Sequence, residues 1–260
     1  MAGREEVVAR PLRARSGIEA TRDALFRGRL LLEQPATGYR TNVDALWLAA
    51  FATRDKRARA CLDLGAGVGA VGLSLLFVDA VERVSLVEID PALLALAGKN
   101  AVPFAERVET CALDLRAPLP EALRHRFDLV VSNPPWAARP TRVSPDPRKA
   151  RARTADPDTL VGFVRAARAA LGAAGRACFI YPAQELPHLL ASLRAVGLEP
   201  KRLRVVHPLP DAPARAVLVE AKPARPGGLH VEAPFVAMRA PGEWTEEAAT
   251  IVEGAFGSLG

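Results

Sequence analysis

The chain has 260 residues, of which 50% are hydrophobic, and it carries a formal net charge of +6 at pH 7. This length and apolar content fit a single domain with one sizeable core. The longest uncharged stretch, from Leu64 to Val78, is glycine-rich and too short to span a membrane, which argues against a membrane-spanning protein.

The amino terminus and the cysteines suggest where the protein resides. The first six residues lack the apolar segment of a signal peptide. Cys61, Cys111 and Cys178 each lie in an apparent core strand, and neither they nor the four histidines have the spacing of metal ligands. We therefore predict buried free thiols in a reducing compartment, a cytoplasmic protein and no bound metal.

Residues 1–20 are polar and rich in arginine, a composition that predicts a basic, disordered segment. Residues 21–260 are interpreted as one domain in three parts. A helical cap over 21–56 precedes a core of alternating strands and helices over 57–221. A closing segment over 222–260 follows.

The first predicted core strand ends in a glycine-rich turn, which leads into an apolar helix. Glycines let the backbone approach a ligand closely, and the helix start supplies free N–H groups. The pattern fits the dinucleotide fingerprint loosely, so by itself it does not separate NAD from another nucleoside cofactor. Asp63 would point a carboxylate at the turn, where a positively charged amino-acid group could be met. The candidate binding residues here are Asp63, Gly65, Ala66, Gly67 and Gly69.

The next two predicted strands also end in acidic residues. Glu88 lies at the end of the second strand, where a carboxylate can accept both hydroxyls of a ribose. Asp90 and Pro91 read as the N-cap and first residue of a helix, so Asp90 is not assigned to the ligand. Asp114 follows the third strand and can accept a hydrogen bond from an adenine amino group.

The most specific pattern is the tetrapeptide Asn133-Pro134-Pro135-Trp136, which follows an apolar run that predicts a buried strand over 127–132. The Asn133 side-chain oxygen and the Pro134 carbonyl can both accept hydrogen bonds from one planar NH2 group. The prolines stiffen the backbone and remove competing N–H donors. Trp136 offers a flat face for a base. The turn therefore predicts a site that holds an exocyclic amine with its lone pair facing an electrophile.

Basic residues cluster just after this turn. Phosphate binding favours such clusters, and the segment leaves the predicted chemical site directly. The simpler interpretation is a solvated surface in an arginine-rich protein. The candidate nucleic-acid-binding residues are Arg139, Arg142, Arg148, Lys149, Arg151 and Arg153.

The order and spacing of these motifs over residues 60–136 resemble those of the class I S-adenosylmethionine-dependent methyltransferases. The shared pattern is D-x-G-x-G-x-G, then Glu and Asp at the ends of the second and third strands, then N-P-P-W after the fourth. The resemblance implies that Asp63 and the loop glycines bind the methionine end of S-adenosylmethionine. It also implies that Glu88 binds the ribose, Asp114 the adenine, and the N-P-P-W turn the target amine.

Other segments are similar to the bacterial tRNA adenine-N6 methyltransferases that modify adenosine 37 of a valine tRNA. The similar segments are 32–51, with its G-Y-R and D-A-L elements, 206–208, 215–221 and 243–248, so the similarity covers roughly residues 22–256. Trp136 departs from that family, which more often has Tyr there. The resemblance implies a tRNA partner and methylation of adenine N6.

Beyond residue 57 strands and helices alternate, which predicts a doubly wound α/β sheet. Strands are predicted near 60–64, 83–88, 107–112, 127–132, 176–181, 202–207 and 214–221, and helices include 158–173 and 185–196. The resemblance adds an antiparallel last strand. The predicted fold class is thus the Rossmann-like class I methyltransferase fold, with a seven-stranded, mostly parallel sheet and helices on both faces. A monomer is favoured, since no sequence feature shows a partner subunit.

Three alternatives remain open. The same turn would serve the methylation of another planar amine, such as guanine N2 in ribosomal RNA, adenine in DNA or glutamine in a protein. A non-catalytic cofactor-binding and RNA-binding module would keep the fold without the reaction, although Asp63, Glu88 and Asn133 are all present. A nucleotide-dependent oxidoreductase would fit the glycine turn, but no hydride-transfer pair such as Tyr-x-x-x-Lys accompanies it.

Overall fold

A sheet of seven long strands forms the centre of the molecule. The structure is a computed structural model that describes residues 12–13, 19–37, 40–54, 56–136 and 157–255. Within these ranges the strands are β1 Leu12–Arg13, β2 Glu19–Leu25, β3 Leu30–Pro35, β4 Ala58–Leu64, β5 Val81–Glu88, β6 Val108–Ala112, β7 Phe127–Ser132, β8 Leu171–Pro182, β9 Glu199–His207, β10 Ala216–Lys222, β11 His230–Val231, β12 Phe235–Val236, β13 Met238–Ala240 and β14 Glu243–Trp244. The helices are α1 Asp44–Ala52, α2 Ala70–Phe77, α3 Pro91–Ala101, α4 Pro157–Ala170, α5 Leu186–Ala195 and α6 Glu246–Val252.

The long strands of the central sheet run in the order β9-β10-β8-β7-β4-β5-β6. Strand β10 is antiparallel to β8 and β9, and the other neighbours in this order are parallel. The two-residue strands β11 and β12 both pair with β9 and extend that edge. The predicted fold class, a mostly parallel sheet of seven strands with an antiparallel last strand, is therefore confirmed, with two short additions.

The strand order reverses beside β4. Strands β5 and β6 follow it on one side, whereas β7 and β8 lie on the other. In open α/β sheets, ligands bind outside the carboxyl ends of the strands at such a reversal. The topology therefore places a ligand site beyond the ends of β4, β5 and β7.

Two hydrophobic layers cover the two faces of the sheet. Neighbouring residues of β4 point to opposite faces, so Cys61 packs in the layer that contains α1 and α2, whereas Leu62 packs in the layer that contains α4 and α5. In β7, Leu129, Val130 and Val131 are all buried. Strands buried on both faces read as continuous apolar runs, which explains why the core strands were predictable.

The helical cap predicted over 21–56 is wrong in its first part. Strands β2 and β3 form an antiparallel hairpin, and in the described part of this range the chain is helical only in α1. Phe26 adopts a positive φ of 52° in the reversal, and its buried ring stacks on Phe77 with centroids 4.7 Å apart. A left-handed residue ends a helix, so the hairpin prevails over helical propensity at this point.

The segment 1–20 is not wholly without regular structure. Leu12–Arg13 pairs with Glu19–Ala20 as strand β1. The other residues before Glu19 lie outside the described residues, so the predicted disorder stays a prediction for them. The single-domain division of the chain also stays a prediction.

A buried asparagine ties the hairpin to the glycine-rich turn. Asn100 in α3 donates from Nδ2 to the carbonyls of Glu33 and Val68, both at 3.0 Å, and its Oδ1 accepts the Glu33 N–H at 2.7 Å. All of its hydrogen-bonding groups are used except one acceptor lone pair. The hairpin therefore braces the outer side of the turn that starts α2.

The predicted helix start at Asp90 and Pro91 is confirmed, and a second helix has a similar side-chain cap. Asp90 caps α3 by accepting the Ala92 N–H at 2.8 Å, and Pro91 is the first helical residue. Thr245 caps α6 by accepting the Ala248 N–H at 3.2 Å. In the described ranges, every helix is too short or too polar to cross a membrane.

A buried carboxylate surrounded by cations joins β10 to its neighbours. Glu220 is 1% exposed, and its carboxylate oxygens lie 2.8 Å from Arg54, 3.5 Å from Lys222, 3.6 Å from Arg202 and 3.9 Å from Arg176. Burying a charge is unfavourable unless it is paired, and here the four cations compensate the buried charge of Glu220.

The same cluster anchors the end of α1. Arg176 donates to the Ala52 carbonyl at 2.8 Å, and Arg202 donates to the Phe51 carbonyl. Cations near the last carbonyls of a helix are favourable. The position of α1 against the sheet is therefore set by charges at its carboxyl end.

Replacing Glu220 with Gln should destabilise the fold by about 3–5 kcal/mol, because Arg176 would lose its counter-charge and the partly buried Arg202 would keep only its pair with Glu232 at 3.2 Å. Urea unfolding at fixed pH measures this change. The matched control is Glu243→Gln, which breaks an exposed pair with Arg239 and should cost about 0–1 kcal/mol. Equal effects of the two substitutions would contradict the assigned role of Glu220.

Candidate active site at the strand ends

The predicted motifs meet at one edge of the parallel strands. Leu64, the last residue of β4, pairs with the second-last residue of β5 and with the last residue of β7. Paired residues lie side by side, so the next residues along, Gly65, Glu88 and Asn133, leave the sheet at the same edge. Glu88 is in turn paired with the last residue of β6, which brings Asp114 to this edge as well.

The carboxyl group of Asp63 lies beneath the glycine-rich turn. Asp63 is 1% exposed, and its Oδ2 accepts the N–H of Gly72 in the first turn of α2 at 2.9 Å. The N-cap of this helix is Gly69, which has no side chain to cap it. Asp63 therefore satisfies a free helix donor from the neighbouring strand. Its influence on a ligand passes through the turn and through its charge.

The glycines of the turn are needed for two different reasons. Gly65, Gly67 and Gly69 all have positive φ, of 68°, 57° and 87°. A Cβ at Gly65 would lie 2.7 Å from the Phe163 ring, so that glycine allows close packing. A Cβ at Gly67 would meet no atom within 4 Å. Gly67 therefore faces open space, where the backbone can lie against a ligand.

Glu88 is not a solvated residue. It is 8% exposed and accepts three backbone N–H groups, from Gly67 at 2.8 Å, Ile89 at 2.8 Å and Asp90 at 2.9 Å. A carboxylate offers about four acceptor positions, so roughly one remains for a ligand hydroxyl. Glu88 thereby joins the glycine-rich turn to the start of α3.

Asp63 and Glu88 make the base of the site electronegative. Burial, the nearby charge of Glu88 and the opposing Gly72 hydrogen bond together raise the pKa of Asp63 to about 7. Among the residues that the structure describes, neither carboxylate forms an ion pair. Two neighbouring buried carboxylates without a cation fit a positively charged ligand, which would favour the ionised form of Asp63.

Asp114 lies at the same edge but faces a side chain of its own loop. Its carboxylate accepts from the Arg116 guanidinium at 2.6 Å and from the Arg116 N–H at 2.9 Å. These hydrogen bonds hold the pKa of Asp114 below its usual value. An adenine amino group would share this acceptor with Arg116.

The N-P-P-W turn closes on itself. The Trp136 indole N–H donates to Asn133 Oδ1 at 3.1 Å, and Pro134 between them is buried. Trp136 is half-buried and packs against both hydrophobic layers at the end of the sheet. The turn therefore presents Asn133, Pro134 and Trp136 as one unit beside the glycine-rich turn.

Sequence reasoning missed Arg215, which adjoins Trp136, and Asp44, which pairs with Arg215. The Cζ atom of Arg215 lies 5.4 Å from the Trp136 ring centroid. The Arg215 guanidinium also donates to Asp44, which is 2% exposed at the start of α1. Asp44 and Arg215 are far apart in sequence, and no spacing rule links them. The available signal was that each lies in a segment that carries the family resemblance.

The predicted nucleic-acid-binding residues are not placed by the structure. Arg139, Arg142, Arg148, Lys149, Arg151 and Arg153 all lie outside the described residues. Where the structure does describe the chain, no group of three or more His, Cys, Asp or Glu side chains could hold a metal ion. Cys61 and Cys178 are buried free thiols as predicted, whereas Cys111 is only half-buried.

Comparison with known proteins finds similar proteins that are named for two different activities. A tRNA1(Val) (adenine(37)-N6)-methyltransferase of Parabacteroides distasonis is 30% identical over 200 residues, which are 74% of this chain and 81% of the relative. The protein of the same name from Porphyromonas gingivalis is 31% identical, over 74% of this chain and 78% of that one. A release factor glutamine methyltransferase of Bordetella pertussis is 32% identical over 56% of this chain and 52% of the relative.

The fold and the family agree with these relatives. A solved Agrobacterium tumefaciens structure, described as a predicted O-methyltransferase, has a TM-score of 0.65 at 21% identity, over 81% of this chain and 95% of that one. At this identity the likeness concerns the fold. A family model described as "Methyltransferase small domain" matches residues 42–182. Because this match spans more than half of the chain, the protein belongs to the methyltransferase small-domain family.

Proposed function

We propose that this protein transfers a methyl group from S-adenosylmethionine to the N6 amine of adenosine 37 in a valine tRNA. The observation that carries the proposal is the register that brings Asn133 out of the sheet beside Gly65 and Glu88. This register supports the proposal that Asn133 helps to hold a planar amine next to the glycine-rich turn. The two relatives named for this reaction match 74% of the chain, which supports the choice of substrate.

The residues at the strand ends fit S-adenosylmethionine. This molecule carries sulfonium and ammonium charges, which suit a site with two buried carboxylates that lack a cation. Its ribose would reach the remaining acceptor of Glu88, and its adenine would lie towards Asp114. The backbone of Gly65, Ala66, Gly67 and Gly69 would line its methionine end. When bound, S-adenosylmethionine supplies an electrophilic methyl group.

The target amine is proposed to be held by the N-P-P-W turn. Asn133 Oδ1 and the Pro134 carbonyl accept its two N–H groups, which points the nitrogen lone pair away from the turn. Both oxygens carry partial negative charge, so they stabilise the positive charge that develops on nitrogen during attack. Trp136 stacks on the base and fixes its plane. Orientation and hydrogen bonding thus provide the catalysis.

The RNA partner is supported by charge and by the cost of base extrusion. An adenosine in an RNA loop can be unstacked at a low cost in free energy, so it can reach a site at a strand end. The basic residues between Arg139 and Arg153 follow the turn directly in the sequence and are proposed to bind the RNA backbone. A cytoplasmic location and a monomeric state complete the proposal.

A second candidate function is methylation of a protein glutamine. The observation that favours it is the similarity to the Bordetella pertussis release factor glutamine methyltransferase. A glutamine side chain also presents a planar NH2 group, which the same turn could hold. The net charge of +6 favours a nucleic acid over this alternative.

The deciding experiment incubates the protein with methyl-labelled S-adenosylmethionine and unmodified valine tRNA transcript, followed by nucleoside mass spectrometry. We expect N6-methyladenosine, and none in a transcript that carries guanosine at position 37. Parallel reactions contain release factor, ribosomal RNA and DNA. Label in one of these but not in the tRNA would overturn the tRNA assignment and keep the methyltransferase.

Replacing Asn133 with Ala should lower kcat by about 100-fold or more, because the developing charge loses one preorganised acceptor. Affinity for S-adenosylmethionine should change little, since the cofactor-binding residues are untouched. Single-turnover rates and cofactor titration separate the two effects. Full turnover in this variant would remove Asn133 from the mechanism.

Replacing Gly67 with Ala should weaken S-adenosylmethionine binding about tenfold or more, because its Cβ enters the space proposed for the cofactor. Calorimetric titration measures the affinity. Gly242→Ala is the matched control, since Gly242 also has a positive φ, of 82°, and an added Cβ there would meet no atom within 4 Å. Both variants carry similar backbone strain, so equal cofactor affinities would contradict the placement.

Affinity for S-adenosylmethionine should depend on the ionisation of Asp63, whose pKa is raised to about 7. A cationic ligand favours the ionised form, so below pH 7 binding must release a proton and affinity falls by up to about tenfold per pH unit. Titrations between pH 5.5 and 8 compare the wild type with Asp63→Asn. Their affinity ratio should rise with pH and level off above pH 7. A flat ratio would show that Asp63 does not sense the cofactor charge.

A further inference from the structure

The orientation of the Asn133 amide is set by Trp136. An indole N–H can only donate, so the Asn133 atom 3.1 Å from Trp136 Nε1 must be the oxygen. A free Asn side chain has a broad, two-fold torsion and can turn its NH2 group to either side. The indole removes that freedom. One lone pair of Oδ1 receives the indole N–H, and the other remains for the target amine.

Trp136 is in turn held by Arg215. The guanidinium carbon lies 5.4 Å from the ring centroid, within the range of a cation–π contact. The Arg215 backbone is fixed on both sides, because its N–H donates to the Val206 carbonyl at 2.9 Å and its carbonyl accepts the Ala183 N–H at 3.1 Å. The side chain therefore projects from a rigid point where the ends of β8 and β9 meet the start of β10.

Asp44 fixes the other end of this arginine. Its carboxylate is 2% exposed and receives the Arg215 guanidinium. Asp44 lies in the first turn of α1, and the Glu220 cluster anchors the opposite end of that helix. The contacts thus run without interruption from α1 through Arg215 and Trp136 to Asn133.

We propose that Arg215, held by Asp44, is a positioning residue for amine methylation, which acts by fixing the Trp136 indole that orients the Asn133 amide. This inference rests on the proposed function, because it assigns the role of Arg215 in the same reaction. Trp supplies an N–H at the ring edge, which a Phe ring of similar flatness lacks.

The chain offers a matched control elsewhere. The Cζ atom of Arg204 lies 5.3 Å from the Phe235 ring centroid, and its guanidinium pairs with Glu247 at 2.5 Å. This arrangement has the same three parts as the contacts of Arg215, namely an arginine, an aromatic ring and a carboxylate, but its ring is not bonded to Asn133. Arg204→Gln therefore reports the general effect of losing such a contact.

The first readout is kinetic. Arg215→Gln and Trp136→Phe should each lower kcat by about 10- to 100-fold, because the acceptor is misoriented. Affinity for S-adenosylmethionine should stay within about twofold, and Arg215→Lys should recover part of the rate, since it keeps the cation. Arg204→Gln should leave kcat unchanged. A rise in KM for tRNA with unchanged kcat in Arg215→Gln would overturn the proposal and assign Arg215 to phosphate binding.

The second readout does not need activity. The protein contains three tryptophans, so its 15N spectrum has three indole N–H signals, and Trp136→Phe identifies the relevant one. Asn133→Ala and Arg215→Gln should both shift that signal and speed its exchange with solvent, whereas Arg204→Gln should not. An unchanged signal in Arg215→Gln would overturn the proposal that Arg215 fixes the Trp136 indole. If the wild type methylates no RNA, the proposed function fails, and this spectrum still decides whether Arg215 holds the Trp136–Asn133 pair.

Discussion

The site depends on two buried carboxylates that hold a glycine-rich turn from below. Asp63 of β4 accepts the N–H of Gly72 in the helix after the turn, and Glu88 of β5 accepts the N–H of Gly67 in the middle of the turn, so both strands hold this part of the backbone. The turn is left-handed at three glycines, a backbone path that side chains would strain. Two negatively charged groups therefore stabilise an irregular backbone at this point. The same negative charge would attract a cation to the site. Support of the turn and attraction of the ligand are two effects of the same groups.

The core of the fold could be predicted because the parallel strands are buried on both faces. Such strands appear as uninterrupted apolar runs. In the structure their last residues lie close to one another: Leu64 pairs with Ser132, and Glu88 is one residue beyond the partner of Leu64 in β5. Strand ends that carry polar residues could therefore be assigned to one edge without coordinates. The structure shows the positions and contacts of these residues, and their cofactor-binding and amine-binding roles stay predictions.

The hairpin of β2 and β3 could not be predicted in the same way. Its strands alternate only in part, because the hairpin packs on the helices α3 and α2. The feature that makes this segment a hairpin is the left-handed turn at Phe26, whose ring stacks on Phe77 of α2. The pairing of Asp44 with Arg215 is invisible for a related reason. It depends on how α1 is placed against β10, which only the assembled core determines.

The N-P-P-W turn is proposed to hold a planar amine, and that group is common to adenine and to a glutamine side chain. The acceptors Asn133 and Pro134 therefore do not by themselves separate the two kinds of substrate. What differs between the substrates is the surface behind the amine. A purine has a flat face that an aromatic ring can cover, whereas a glutamine has a flexible aliphatic stem. A tryptophan held rigidly by Arg215 favours the rigid, flat substrate, because the Trp136 side chain loses its conformational entropy during folding and not when the base binds. Selectivity for a base thus follows more from how firmly Trp136 is held than from the hydrogen bonds to the amine.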